Sequence, residues 1–228
     1  MSLPLAFTDR PIAHRGLWRT GGAPENSLAA FEAACAKGYA IELDVQLSAD
    51  GEAMVFHDDI LDRLTASAGL VEEQTAEDLG ALLILGSDQT IPTLAQALAV
   101  IGDRAPVLVE LKTPCGQEGL LERCVADLLT DHPGPAAVLS FNADALAWLA
   151  DHAPALARGL NVATAQQLSG AERARADFLS VDLSLADHLG VQMWRRMGEA
   201  VAWTCRSPAD YARCHSMVEA VMFEGFDP

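Results

Sequence analysis

The chain is 228 residues long, half of it hydrophobic, with 32 acidic against 15 basic residues and a formal charge of −17. That length and apolar content suit one α/β domain with a substantial buried core and exclude a disordered chain. So negative a molecule repels a polyphosphate backbone, which argues against nucleic acid as a partner.

The five cysteines, Cys35, Cys115, Cys124, Cys205 and Cys214, are odd in number, scattered and without a CxxC pair. They read as reduced thiols, not as a disulfide framework or a zinc knuckle. The first ten residues lack the basic and apolar regions of a signal peptide, and no stretch approaches the roughly 20 apolar residues of a membrane span. The expectation is a soluble, cytoplasmic protein with no stable membrane association.

Along the chain, apolar runs alternate with segments of helical periodicity. Runs at 12–16, 40–47, 107–112, 137–141, 157–161, 178–182, 200–204 and 219–223 read as strands, and patterns at 27–37, 93–101, 119–129, 143–150 and 208–214 as helices. Asn26 is placed to cap the first of these helices and Gly38 to terminate it, while Thr93 after Pro92 opens the next. Strand–helix alternation implies parallel strands with right-handed crossovers, and eight repeats imply closure into a (β/α)8 TIM barrel, one domain over 1–228.

Two features break the rhythm. About 45 residues separate the second strand from the helix at Thr93, including an apolar run at 53–56 that ends at His57. Insertions of that length in a compact domain are usually functional. The given sequence runs five residues past the eighth run, and the expectation is that the eighth helix is missing or vestigial. The first ten residues are expected to cover the barrel bottom in its place.

Three segments hold most of the chemistry: Ile12-Ala13-His14-Arg15-Gly16, Ile41-Glu42-Leu43-Asp44-Val45 and Val109-Glu110-Leu111-Lys112. Strand side chains alternate faces, so Glu42 and Asp44 point one way, as do Glu110 and Lys112. Their apolar neighbours would face the helices, which turns the charged groups into the barrel. Taken alone, a Glu-x-Asp strand suits a solvated edge and a Glu-x-Lys a surface ion pair. Together they end consecutive strands, where barrel enzymes place their sites. Buried carboxylates converging in this way need a counter-charge, and an all-oxygen set suits Mg²⁺ or Ca²⁺. His57 can fold back over the same mouth.

The order His14-Arg15, Glu42-x-Asp44, His57-Asp58 resembles the signature of glycerophosphodiester phosphodiesterases. Pro24-Glu25-Asn26-Ser27, Ala30-Phe31, Asp50-Gly51, Leu61-Asp62-Arg63-Leu64-Thr65, Ile91-Pro92-Thr93-Leu94, Glu110-x-Lys112, Ser140-Phe141 and Trp203-Thr204 extend the likeness, which is densest over 12–112. It implies a TIM barrel with a small insertion between strand 2 and helix 2, at roughly 59–91 here. Glu42, Asp44 and Glu110 would bind one divalent cation (Mg²⁺, Ca²⁺ or Mn²⁺), and His14 and His57 would act as general acid and base. Arg15 and Lys112 would contact the phosphate, and Phe141 and Trp203 would wall the glycerol backbone. The implied reaction releases sn-glycerol 3-phosphate and an alcohol from a small glycerophosphodiester, a step of lipid and glycerol metabolism. One departure is the end of the chain. The family has a Thr-Asp-x-Pro-like segment there, and this sequence reads Phe223-Glu224-Gly225-Phe226-Asp227-Pro228.

The alternatives are a phospholipase D-like enzyme acting on lysophospholipids or sphingolipids, a non-catalytic phosphodiester-binding barrel, and another metal-dependent barrel hydrolase. The first would want an aromatic rim for the membrane, whereas aromatics are 6% of this chain. The second would want a catalytic group missing, and none is. The third usually ligates metal through histidines. Head group and oligomeric state, monomer or homodimer, stay open.

Overall fold

The computed structural model describes residues 2–19 and 22–228; Met1, Thr20 and Gly21 lie outside the described residues. In chain order the elements are α1 (Leu5–Thr8), β1 (Ile12–Ala13), α2 (Leu28–Lys37), β2 (Ala40–Leu47), β3 (Ala53–Val55), α3 (Ala76–Ala81), α4 (Leu94–Ile101) and β4 (Val107–Leu111). Then follow α5 (Leu120–Thr130), β5 (Ala136–Ser140), α6 (Ala143–His152), β6 (Ala157–Val162), α7 (Ala171–Ala174), β7 (Phe178–Asp182), α8 (Leu189–Trp194), β8 (Glu199–Cys205), α9 (Pro208–His215) and β9 (Ala220–Phe223). All pairs but one are parallel. The order β1-β9-β8-β7-β6-β5-β4-β2 closes through β1–β2, giving an eight-stranded barrel. β3 is the exception, running antiparallel to β2 beside its C-terminal half.

The side-chain alternation builds two cores. One residue from each barrel strand (Ile12, Ala40, Leu108, Ala137, Ala157, Phe178, Val201 and Ala220) meets inside the barrel. Neighbours of opposite parity, among them Ile41, Leu43, Val45, Val109, Leu111, Val138, Leu179 and Val221, pack with the helices. Glu42, Asp44 and Glu110 therefore face inward, as their spacing predicts. Gly159 makes the interior packing feasible, because a Cβ there would lie 2.3 Å from Phe178 and 2.5 Å from Leu139. Leu3 and Phe7 join the interior cluster, with Phe7 fully buried, so the N-terminal segment closes the bottom as expected.

The long connection carries a small core of its own, in which Leu61, Val71, Leu79, Ile84 and Ile91 pack on Met54 and Phe56 from β3 and its end. Among the described residues, no helix is long and apolar enough to cross a membrane.

One local expectation is corrected. Asn26 does not cap α2; the cap is Ser27, whose side chain accepts from the backbone N–H of Ala30. The helix starts one residue later than the periodicity suggests, and Asn26, at φ 54°, turns its side chain to the barrel mouth. Gly38 ends the helix in the left-handed conformation (φ 73°), as expected.

Candidate active site

The C-terminal ends of β1, β2 and β4 bring the three predicted segments together. Among the described residues, Glu42, Asp44 and Glu110 each offer a carboxylate oxygen, and these atoms lie within 4.8 Å of one another. All three side chains are buried. Glu42 Oε1, Asp44 Oδ1 and Glu110 Oε1 are buried without a hydrogen-bond partner. Lys112 Nζ is 3.0 Å from that Asp44 oxygen and 2.7 Å from that Glu110 oxygen, so it pairs with them by charge, outside hydrogen-bond angles.

Burial and the charges of Asp44 and Glu110 push the Glu42 carboxyl well above the usual carboxylate range. Burial acts on Asp44 in the same direction, but the charges of Lys112, Arg15, His57 and His14 outweigh it and hold Asp44 below its ordinary value. Burial also opposes the charge on Lys112, and Asp44 and Glu110 overcome it, raising the ammonium's pKa. Three buried carboxylates with a single ammonium between two of them are a setting that a hard divalent cation would satisfy.

Local hydrogen bonds hold this cluster. The backbone N–H of Arg15, in a left-handed turn (φ 59°), donates to Glu42 Oε2 at 3.0 Å. Asn26 Nδ2 donates to Asp44 Oδ2 at 2.8 Å. The Arg15 guanidinium is 2.7 Å from Glu25 Oε1 and 3.3 Å from Asp44 Oδ2. It is thus already committed to carboxylates, which the sequence did not reveal.

Each imidazole is backed by a carboxylate, and each carboxylate by an arginine. His14 Nδ1 lies 2.6 Å from Glu224 Oε2, and Arg206 Nε donates to Glu224 Oε1 at 2.6 Å. His57 Nδ1 lies 2.6 Å from Asp58 Oδ1, and Arg63 donates to Asp58 and on to Glu25, which also holds Arg15. A carboxylate acceptor assigns a proton to Nδ1 in both rings and leaves Nε2 for other partners; that of His14 lies 3.9 Å from Glu42 Oε2. Burial alone would raise the Glu224 carboxyl, but the His14 hydrogen bond, the His14 charge and Arg206 hold it down to about 2. Asp58 is lowered likewise, with Arg63 and His57 outweighing its burial.

His57 is placed by β3 and by Gln46. The return strand brings Phe56 N–H to Asp44 O (3.1 Å). The buried Gln46 side chain donates to the carbonyls of Phe56 (2.9 Å) and Asp58 (2.8 Å), one on each side of His57.

A cavity of about 200 Å³ opens at this mouth, lined by His14, Arg15, Glu42, His57, Glu110 and Lys112 on one side. Leu139, Phe141, Asn161, Ser180, Trp203 and Met222 line the other. All nine sequence-predicted site residues except the buried Asp44 line it. Phe141 and Trp203 meet edge to face with centroids 5.9 Å apart. A larger groove of about 650 Å³ runs alongside and shares Lys112, but contains neither histidine and none of the three carboxylates. The candidate catalytic groups therefore gather at the smaller cavity. Trp18 and the remaining histidines do not line it.

Sequence reasoning missed Glu224, Arg206, Gln46, Asn161 and Ser180. Extending the period-two reading would have placed Gln46 in the inward row of Glu42 and Asp44. The same extension of the last strand, 220-222-224, would have turned Glu224 toward the first.

A family model described as the glycerophosphoryl diester phosphodiesterase family matches residues 14–224. Two curated glycerophosphodiester phosphodiesterases are similar to the chain. The Bacillus subtilis one is 32% identical over 158 residues (59% of this chain, 53% of the relative). The Caldanaerobacter subterraneus one is 41% identical over 100 residues (41% of this chain, 40% of the relative). The chain thus spans about half the length of these relatives. An Oleispira antarctica phosphodiesterase, solved in complex with the product sn-glycerol-3-phosphate, superposes with a TM-score of 0.85 at 28% identity, covering 96% of this chain and 95% of that one.

Proposed function

Because the chain belongs to the glycerophosphoryl diester phosphodiesterase family, matched over residues 14–224, we propose that it hydrolyses glycerophosphodiesters to sn-glycerol 3-phosphate and an alcohol. The observation that carries this reading is the buried trio of carboxylates, with oxygens within 4.8 Å of one another, beside two carboxylate-backed imidazoles at one barrel mouth.

Glu42, Asp44 and Glu110 would hold one divalent cation, Mg²⁺, Ca²⁺ or Mn²⁺. Three buried carboxylates with oxygens within 4.8 Å of one another, and only the Lys112 ammonium against two of them, fit such an ion. When bound, the cation supplies positive charge to the phosphoryl oxygens. Lys112 adds a donor on the same side. Arg15, tethered by Glu25 and Asp44, orients Glu42 through its backbone N–H and offers the phosphate the remainder of its guanidinium.

His14 and His57 divide the proton transfers. One Nε2 takes the proton of the attacking hydroxyl as its oxygen forms the new P–O bond. The other ring, entering with a proton on Nε2 as well as on Nδ1, gives that Nε2 proton to the alkoxide as the old P–O bond breaks. Glu224 and Asp58 keep both rings aimed and stabilise whichever becomes cationic. Phe141 and Trp203 contribute an apolar wall. The substrate is a small molecule.

Incubation with glycerophosphocholine should yield choline and sn-glycerol 3-phosphate, stop with EDTA and resume on adding Mg²⁺, Ca²⁺ or Mn²⁺. Turnover that chelation leaves unchanged, or products other than these, would overturn the reading.

A further inference from the structure

Arg63 belongs to the insertion and lines neither cavity, yet its guanidinium joins two parts of the site. Its Nε and Nη2 donate to the two oxygens of Asp58. Its Nη1 and Nη2 donate to the two oxygens of Glu25, at 3.0 and 2.7 Å. Each edge of the planar group thus grips a whole carboxylate. Asp58 Oδ1 also faces His57 Nδ1 at 2.6 Å, and Glu25 Oε1 also accepts from Arg15 Nη1 at 2.7 Å. Charges of alternating sign therefore run from the His57 ring to a candidate metal ligand: Asp58, Arg63, Glu25, Arg15, Asp44.

An exposed ion pair ordinarily contributes little, because water screens it and the side chains lose freedom. The Arg63 side chain is 46% exposed, but its partners are not: Glu25 is 7% and Asp58 20% exposed. The backbone that carries Arg63 is fixed as well. Leu61 and Thr65 on either side are buried, and the Thr65 N–H and hydroxyl both donate to Leu61 O at 3.0 Å. Burial pushes the Glu25 carboxyl up, and Arg63 and Arg15 outweigh it and hold the group below its ordinary value. A doubly bidentate guanidinium on an anchored turn is a positioned group, not a solvated surface charge.

Resting on the phosphodiesterase reading above, we infer that Arg63 is a positioning residue for the reaction, fixing the tautomer and aim of the His57 ring through Asp58 and the Arg15 guanidinium through Glu25. The insertion thereby contributes to proton transfer from outside the cavity. The role depends on the planar fork and not on charge alone, since a lysine ammonium cannot grip two carboxylates edge-on.

The test reads the ring directly. In ¹⁵N NMR of the neutral His57 imidazole, assigned by its loss in His57→Gln, the wild type should show the Nδ1-protonated tautomer. Arg63→Met should shift that ring toward the Nε2-protonated form and lower kcat on glycerophosphocholine about 10-fold. Arg63→Lys should resemble Arg63→Met in both. In an Asp58→Asn background, Arg63→Met should cost kcat about 3-fold or less, because its route to the ring is already cut. An unshifted ring in Arg63→Met, a kcat loss equally large with and without Asp58, or wild-type behaviour of Arg63→Lys would each overturn the inference. If Arg63→Met does not fold, the ring and kcat of Arg63→Lys decide in the same way. A ring that moves with Arg63 in a protein that turns over no glycerophosphodiester would instead sink the catalytic reading and leave the positioning role standing.

Discussion

His14 Nδ1 and Glu224 Oε2 lie 2.6 Å apart although 210 positions separate them in the chain. They meet because β1 pairs with β9, so closing the barrel also completes this dyad. The contact continues the closure, since His14 N–H donates to Phe223 O at 3.0 Å. Glu224 bonds His14 and Arg206, so its effect on the site should pass through the ring.

Glu224→Gln should therefore lower kcat by about 10- to 100-fold, part of the 10²–10⁴ that a positioned proton-transfer group supplies. Calorimetric Mg²⁺ affinity should stay as in the wild type. His14→Ala should cost more than Glu224→Gln. A Glu224→Gln enzyme with normal kcat would show that the ring needs no such partner.

The same pair predicts a pH dependence of stability. The Glu224 carboxyl is held down to about 2 from its ordinary 4.5, because His14 and Arg206 outweigh the upward pull of burial. The folded state thus binds this proton more weakly than the unfolded chain. The stabilisation is complete above the unfolded value and is lost as pH falls toward the folded one. Glu224→Gln removes the titrating group. Its unfolding free energy, followed by urea titration, should fall less than that of the wild type across the window from about 4.5 to about 2. Parallel curves for the two proteins would contradict the assignment.

Gln46 carries a different prediction. Its Nε2 donates to the carbonyls on both sides of His57 (2.9 and 2.8 Å), so it sets where that ring sits, and it does not itself line the smaller cavity. Gln46→Leu keeps the volume but leaves both carbonyls unpaired. The expected loss of stability is about 1–3 kcal/mol. Activity should drop with a change in kcat larger than in KM, because the displaced ring is the one proposed to transfer a proton. Unchanged kcat at reduced stability would reduce Gln46 to a purely structural role.

What could be read in advance followed from local rules. Period-two alternation turned Glu42, Asp44 and Glu110 inward, and the alternation of runs gave eight strands and closure. The limits of the reading have physical causes. Glu224 meets His14 only through closure of the whole barrel, a contact no local window contains. The family-based expectation of a Thr-Asp-x-Pro-like ending drew attention to the departure at 223–228 and away from the carboxylate it retains. Asn26 and Ser27 are equally good caps by residue type, and it is Ser27 that caps the helix, because Asn26 satisfies Asp44. Asn161 and Ser180 had no signature, since a polar residue inside a strand shows nothing locally of the cavity it will line.

Metal binding gives a test independent of turnover. Glu42, Asp44 and Glu110 repel one another, and burial adds to the cost, so a cation bound only by the folded chain should stabilise it. At 100 times Kd the gain is about 2.7 kcal/mol, visible as a rise in Tm on adding Mg²⁺ or Ca²⁺. Glu42→Gln removes one charge from the set and should weaken both calorimetric affinity and the Tm shift. In the absence of metal the variant should be at least as stable as the wild type, because a neutral amide relieves the repulsion with Asp44 and Glu110 that raises the Glu42 carboxyl. His57→Ala should leave the metal-induced shift intact while nearly abolishing turnover. A Glu42→Gln protein with the full metal shift would place the ion elsewhere.

The opposite end of the barrel should behave as scaffold only. Phe7, fully buried, packs with Leu3 on the interior ring formed by Ile12, Leu108, Ala137, Phe178 and Val201. This cluster lies at the N-terminal ends of the strands, below the carboxylate layer. Phe7→Ala removes a large apolar group from a closed interior, where the surrounding strands cannot collapse freely. Such a truncation costs about 3–5 kcal/mol. The variant should unfold at markedly lower urea concentration, yet its folded fraction should keep kcat and KM near wild type, since no mouth residue changes its neighbours. A Phe7→Ala protein of unchanged stability would mean that α1 is not what seals the barrel. Loss of activity in the fully folded variant would mean that the plug transmits strain upward through the interior layers to the site.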